Sequence, residues 1–219
     1  MKKFVSKIAF SVFAFSVLAL SSFAQFEGSI EFKRTNSVDT TKYVFYVKGT
    51  KVRLDEIGSK SKQVSGTSLI DLSGEQTTFK ALNPERKLWM EKKPGSPVAA
   101  MGTPEITSTK ASKLLLGVNC KEVVVNNKTE NTTIKYYIGG SGFDFFVKFL
   151  KFMNRKDKSA IYYLLLKGNA GDGFPYLSIQ TDNTTGKEVE RLEVLKIEKK
   201  ILDPVLFEAP KEYKKFEMN

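Results

Sequence analysis

Apolar and polar positions alternate along most of this chain, and one stretch breaks the alternation. Residues 140–154 read GSGFDFFVKFLKFMN. At helical steps of about 100° per residue, Asp144, Lys148, Lys151 and Arg155 gather in one narrow polar stripe. Phe143, Phe146, Val147, Leu150 and Met153 fill the opposite face, and Phe145, Phe149 and Phe152 extend it along one flank. A strand would put charge on both of its faces, so the pattern predicts a helix. Its apolar arc covers well over half the circumference, whereas a helix lying on one sheet needs only about a 100° stripe. The helix is therefore expected to be covered on two sides, by a sheet and by something else. That second cover is either the protein's own loops or an apolar ligand. Ser141 is the expected N-cap, and Asp144 suits both a weakened capping box and the positive end of the helix dipole.

The rest reads as a β-meander. FEGSIEFKR, residues 26–34, places Phe26, Gly28, Ile30 and Phe32 on one face and polar residues on the other, a strand with one wet side. In residues 43–48, Tyr43, Phe45 and Val47 alternate with Val44 and Tyr46, so the middle of this strand is expected to be covered on both faces. Val52 and Leu54 point inward from residues 51–57, and residues 58–66 form a polar loop. Strands at 69–72 and 75–82 flank Ser73-Gly74, a two-residue hairpin signal. A turn at 83–86 leads into 87–90. Residues 92–104, KKPGSPVAAMGTP, hold three prolines and two glycines and are read as a loop. Its apolar centre, Val98 to Met101, either folds over an apolar mouth or packs on the sheet edge. Strands at 105–110, 120–126 and 132–138 follow, the last with Ile134, Tyr136 and Ile138 inward. Residues 159–166 fit a buried strand or the second half of a helical hairpin, since periodicity does not separate these. A glycine-rich loop at 167–175 precedes a hairpin of 176–181 and 187–200. The second strand changes phase near Val194, which predicts a bulge. Asp203-Pro204 opens a short helical turn that Pro210 ends.

Residues 1–24 have the build of a secretory signal peptide. Lys2, Lys3 and Lys7 precede an apolar run at 8–20, and Ser22-Phe23-Ala24 places cleavage before Gln25. The run is shorter than the roughly 20 residues of a spanning helix, so no membrane anchor is expected after cleavage. Residues 25–219 are expected to form a single domain, exported to the periplasm or beyond the cell. The net charge of +11 stays positive after cleavage, because the signal carries three lysines and no acid. A positive chain suits an anionic membrane surface, lipid headgroups or a polyanion. The lysines are dispersed, however, and alternate with glutamate at 188–200, so no nucleic-acid partner is expected.

The absence of histidine removes the commonest general base and the commonest transition-metal ligand. Cys120 is the only cysteine, which excludes an internal disulfide. It leads into the apolar run Val123 to Val125 and reads as a buried small hydrophobe, beside the alternatives of a reactive thiol or an intermolecular bridge. Ser59 and Lys62 form an S-x-x-K in a polar loop without the motifs that accompany it in serine–lysine acylases. Asp182-Asn183 lacks the spaced acids of a calcium loop, and residues 168–173 lack the Gly-Lys-Ser/Thr of a phosphate loop. No catalytic residue, metal or cofactor is expected.

Several segments together resemble a secreted bacterial family, domain of unknown function 4412. They are FEGSIEFKR, TKYVFYVKGTKVRLDE, LIDLSGEQTTFKALNPERKLWM, the strand entry Gly117-x-x-Cys120-x-Glu-Val, FDFFVKFLKFMNRKDKS and RLEVLKIEKKILDPVLFEAPKEYKKF. The ending L-D-P-x-L-F-x-x-P after a long strand also resembles periplasmic lipoprotein carriers of the Lol type. This resemblance implies a mainly β, α+β fold in the Gram-negative envelope. Its strongly curved antiparallel sheet would stay open as a half-barrel, with one or two helices on its concave face. It further implies a hydrophobic ligand between sheet and helix, and it brings no catalytic residues.

Two functions fit these readings. In the first, a non-enzymatic envelope protein holds an acyl chain or lipidated peptide in the half-barrel. Tyr43, Phe45, Phe79, Tyr136, Phe146 and Leu150 are the expected lining. In the second, the helix plugs the sheet, the aromatics are ordinary core, and the protein is a structural or interaction module. A cavity near roughly 300 Å³, the low end for ligand sites, would favour the first.

Overall fold

The computed structural model describes residues 25–217 apart from 75, 76, 167 and 169. The expected signal peptide lies outside the described residues. The first half of the chain forms strands β1 (Gly28–Asn36), β2 (Thr40–Lys48), β3 (Lys51–Ile57), β4 (Val64–Asp71), β5 (Phe79–Asn83) and β6 (Leu88–Lys92). The second half forms β7 (Glu105–Leu115), β8 (Val118–Asn127) and β9 (Thr132–Gly139), then helices α1 (Asp144–Met153) and α2 (Lys158–Leu165). Strands β10 (Phe174–Asp182), β11 (Glu188–Lys199) and β12 (Lys214–Lys215) complete it.

All twelve strands join one sheet, in the order β12-β6-β5-β4-β3-β2-β1-β11-β10-β9-β8-β7. The order is open at both ends, so the sheet is not closed into a barrel. Pairing is antiparallel except at the short β12, which runs parallel to β6 through Leu88 and Trp89 and makes the sheet mixed. The two halves meet where β1 pairs β11, from Gly28↔Lys199 to Asn36↔Glu190.

Helix length shows how far this sheet must bend. Phe152 of α1 packs edge-on against Phe79 of β5, and Phe146 meets Phe174 of β10 with ring centroids 4.6 Å apart. These two strands lie six places apart in the sheet order. A flat sheet would separate them by roughly 29 Å at about 4.8 Å per strand. The helix rises only about 9 Å between the two phenylalanines. The sheet therefore curls around α1, and its concave face supplies the core.

The core is an aromatic cluster. The Phe45 ring meets Phe145, Phe146 and Phe149 edge-on, at centroid distances of 5.8, 6.3 and 5.0 Å. Such pairs contribute about 0.5–1.5 kcal/mol each beyond area burial. Asp144, Lys148 and Lys151 face solvent as the periodicity predicts. The centre of burial differs from the expected one. Phe145 and Phe149, assigned to a flank, are the most deeply buried, while Phe146, Val147 and Met153 are half-buried. The sheet covers the helix from that flank, and the opposite margin faces α2 and the open side. Residues 159–166 take the helical alternative, as α2. Tyr162 and Tyr163 are buried on it, and the Tyr136 hydroxyl donates to the Ser159 carbonyl at 2.7 Å.

Ser141 does not cap α1; it is exposed, and Phe143 occupies the cap position without a side-chain bond. The glycine-rich loop supplies the acceptors instead. The Asp172 carboxylate accepts from the Gly142 amide at 2.8 Å, and its carbonyl accepts from Phe143 at 3.0 Å. The Phe26 amide in turn donates to the Gly142 carbonyl at 2.8 Å, tying the start of the domain to the start of the helix.

Ser73-Gly74 does not form the expected two-residue hairpin. β4 ends at Asp71 and β5 begins at Phe79, with pairing running only from Thr67↔Leu82 to Leu69↔Lys80. Asp71 is drawn to the neighbouring turn, where its carboxylate accepts from the Thr50 hydroxyl and the Ser73 amide. The bulge near Val194 is present: Glu31 pairs Lys196 while Phe32 pairs Val194. The second cover of β2 is the C-terminal segment. A 3-10 turn, Pro204–Phe207, crosses the convex face, where the Leu202 and Leu206 carbonyls accept from Lys48 and Arg53.

Truncating Phe149 to alanine should cost about 3–5 kcal/mol of stability, the usual range for a buried aromatic. Lys148→Ala, one residue away on the solvent stripe, should stay within about 0.5 kcal/mol. Urea unfolding followed by circular dichroism measures both.

Candidate functional site

The space between the helices and the concave face is the candidate site. α1, α2 and the facing strands enclose an apolar cavity of about 80 Å³. Tyr43, Phe45, Tyr136, Phe146 and Leu150, five of the six residues chosen from the sequence, border it. Phe79 does not. It lies further along the sheet, in β5, packed on Phe152 near the C-terminal end of α1. The same face brings in Phe32, Leu54, Phe149, Tyr163, Phe174 and Val194, which the sequence reading did not select. Phe32 carried a signal, since it alternates in phase with Phe26 and Ile30. Tyr163 carried none while the helical state of its segment was open. The volume is well below roughly 300 Å³, so no acyl chain fits the cavity as it stands.

One side of the cavity is polar and fully paired. The Arg34 guanidinium donates to the Glu190 carboxylate at 2.6 Å through Nε and forms a second contact through Nη2. The Ser159 hydroxyl donates to the other Glu190 oxygen at 2.9 Å. Burial works against the Arg34 charge, but the Glu190 carboxylate outweighs it and the guanidinium is held above its ordinary value. Arg155 Nε donates to Asp157 at 2.7 Å in the turn between the helices. The contacts of Glu190 with Arg34 and Ser159 join β1, β11 and the helical layer, and their sequence separations hid them from a reading of local pattern. Among the described residues, no group of three or more Cys, Asp or Glu side chains is placed to hold a metal ion.

The loop 93–104 has a topological task. β7 is the outermost strand on one side of the sheet, and β6 lies next to the opposite edge. The connection between them therefore crosses the open side of the half-barrel as a strap, and does not follow the sheet edge. It touches the end of α1, where the Gly95 amide donates to the Met153 carbonyl at 3.4 Å. A Cβ at Gly95 would sit 3.0 Å from the Asn154 carbonyl oxygen, so the approach is close. The strap lands on the β8–β9 turn. The Met101 amide donates to Glu130 at 2.6 Å, and the Met101 carbonyl accepts from the wholly buried Asn127 at 2.8 Å. Gly102 follows with φ +70°, packed against Thr129.

Glu130 also joins this landing point to α2, accepting from the Tyr162 hydroxyl at 2.8 Å and pairing with Lys158 at 3.2 Å. Burial would raise the Glu130 carboxyl. The Met101 amide, Tyr162 and Lys158 outweigh it and hold the group below the usual carboxylate range. Burial, together with the same contact to Glu130, pushes the Tyr162 hydroxyl up. Cys120, buried in β8, is pushed up to about 11 by burial. That places it with inert structural thiols.

Two predictions follow from these environments. A carboxyl lowered on folding stabilises the strap at neutral pH, and its contribution disappears as pH falls through the lowered value. Protection of the amides at residues 98–103, taken relative to the intrinsic exchange rate at each pH, should therefore fall on acidification below about 4.3, the ordinary glutamate value. Glu130→Gln should show fast exchange already at neutral pH. Cys120 should resist maleimide in the native protein and react fully in denaturant, as read by intact-mass shift.

A protein described as an uncharacterized conserved protein from Thermus thermophilus overlays with a TM-score of 0.51 at 10% identity, covering 87% of this chain and 90% of that one. It shares the fold. MucB, solved in complex with MucA, overlays at 0.47 with 9% identity, across 85% of this chain and 55% of MucB. A LolA superfamily protein from Nitrosomonas europaea gives 0.35 with 10% identity, across 84% and 89% of the two chains. No curated protein matches the sequence. The family described as Domain of unknown function (DUF4412) matches residues 26–213, nearly all of the curved sheet and both helices, and the chain belongs to that family.

Proposed function

We propose that this is an exported, non-enzymatic protein of the cell envelope, one domain from residue 25 onward, that takes up an apolar ligand between α1–α2 and the sheet. The ligand class is the acyl chain of a lipid or of a lipidated peptide, with no cofactor. The observation that carries this reading is the cavity itself: aromatic walls, a paired polar side at Arg34, Arg155 and Asp157, and a roof of two short helices. Uptake requires that roof to move outward, because about 80 Å³ is too little for an acyl chain. The ties at the two ends of α1 differ. Three hydrogen bonds of 2.8–3.0 Å hold the Gly142–Phe143 end, while the strap tie from Gly95 to Met153 measures 3.4 Å. Opening at the Met153 end is the direction this asymmetry favours. No helix among the described residues is long and apolar enough to cross a membrane.

The alternative is a structural or interaction module whose helices simply plug the sheet. The small cavity and the dense Phe45 cluster favour it. Native mass spectrometry of protein from its own host, with titration of a fluorescent fatty acid, separates the two. Under the carrier reading the probe binds, and Leu150→Trp, which fills the cavity, weakens uptake at least tenfold while the circular dichroism spectrum is retained. Ligand-free protein that takes up no probe would leave the module reading standing.

A further inference from the structure

The strap and the outer stripe of α1 form a surface that the cavity does not explain. Segments 92–104 and 144–156 carry six basic residues, Lys92, Lys93, Lys148, Lys151, Arg155 and Lys156, against one acid, the exposed Asp144 at the start of α1. Arg155 is paired with Asp157. The five lysines are exposed and make no ion pair among the described residues. The contact of Gly95 with Met153 and Asn154 brings Lys92 and Lys93 to the end of the helix that bears Lys151 and leads to Lys156.

On the same strap two apolar side chains face water. Val98 is 41% exposed and Met101 is 65% exposed. Met101 is not a frayed tip. Its amide is held by Glu130 and its carbonyl by buried Asn127, and Gly102 takes a left-handed turn directly after it. A backbone fixed by buried polar groups thus presents an unbranched apolar side chain outward. Lysines and exposed apolar side chains on one strap match the two terms of interfacial binding, attraction to anionic headgroups and burial of apolar surface below them.

We infer that this face docks on an anionic phospholipid surface, with the five lysines over the headgroups and Met101 and Val98 inserted between them. Docking does not require a filled cavity. It would bring the α1–α2 turn, whose Arg155, Asp157 and Ser159 border the cavity, close to the bilayer.

Flotation of the mature chain with vesicles tests this. Phosphatidylcholine vesicles containing phosphatidylglycerol should carry the protein upward, and pure phosphatidylcholine vesicles should not. Each lysine near an anionic surface changes partition about fivefold, so Lys148→Ser, Lys151→Ser and Lys156→Ser combined should weaken it about 100-fold. Serine at the exposed Lys187, Lys199 and Lys211 is the control for net charge and should have a much smaller effect. Val98→Ser with Met101→Ser should abolish the binding that persists at raised salt. All these side chains are exposed, and circular dichroism checks that the fold is kept. The inference falls if the parent chain ignores phosphatidylglycerol or the control triple loses as much as the helix triple. It also falls if the apolar pair can be replaced without effect, or if the chain binds heparin beads but no vesicle. A chain that floats yet takes up no fatty acid retains this inference and loses the carrier reading.

Discussion

The packing of the α1 phenylalanines on the concave face is the constraint on which the other features rest. Three edge-on contacts converge on Phe45, and Phe152 and Phe146 reach out to β5 and β10. A ten-residue helix touches strands this far apart only if the sheet bends around it. Burying each phenylalanine stabilises the fold by about 1.5–3 kcal/mol, and that gain is available only in the curved arrangement. Curvature then keeps the two sheet edges apart across an open side, and the β6–β7 connection has to span it.

Irregular segments on that open side need partners for their backbone groups, since buried amides and carbonyls left unpaired are costly. Side chains from the frame supply them. Asp172 serves the start of α1, Asn127 and Glu130 serve the strap, and Glu190 serves Ser159 at the start of α2. These three acids are therefore engaged as acceptors for structure. This arrangement also makes the helical layer the part of the molecule with discrete, countable ties, in contrast to the continuous ladders of the sheet.

Much of the architecture was legible from periodicity. The polar stripe of α1, the inward triplet Ile134, Tyr136 and Ile138, the phase slip at Val194 and the turn at Asp203-Pro204 each follow from a local rule, and each stands in the structure. The misses share a cause. Ser141 has the right chemistry for a cap, but Asp172 occupies that role from about thirty residues away. Ser73-Gly74 reads as a tight turn, but Asp71 is engaged by Thr50 in a neighbouring turn. Phe79 has the expected phase and burial, yet the tilt of α1 sets it beside Phe152 and away from the cavity. In each case a contact distant in sequence outweighed a local preference of about 1 kcal/mol.

By itself, the sequence determined which faces are apolar, because side-chain alternation and helical spacing are set by backbone geometry alone. It also determined what chemistry is missing, since a chain without histidine and with one cysteine cannot assemble sites that need them. Tertiary structure decided how the apolar faces meet, how much space they leave, and where the basic and exposed apolar residues of the strap come to lie. Those outcomes depend on sheet curvature and on which strands form the edges. Curvature follows from the packing of the sheet on α1, and the edges from the pairing of β1 with β11, residues more than 150 positions apart, which no local pattern encodes.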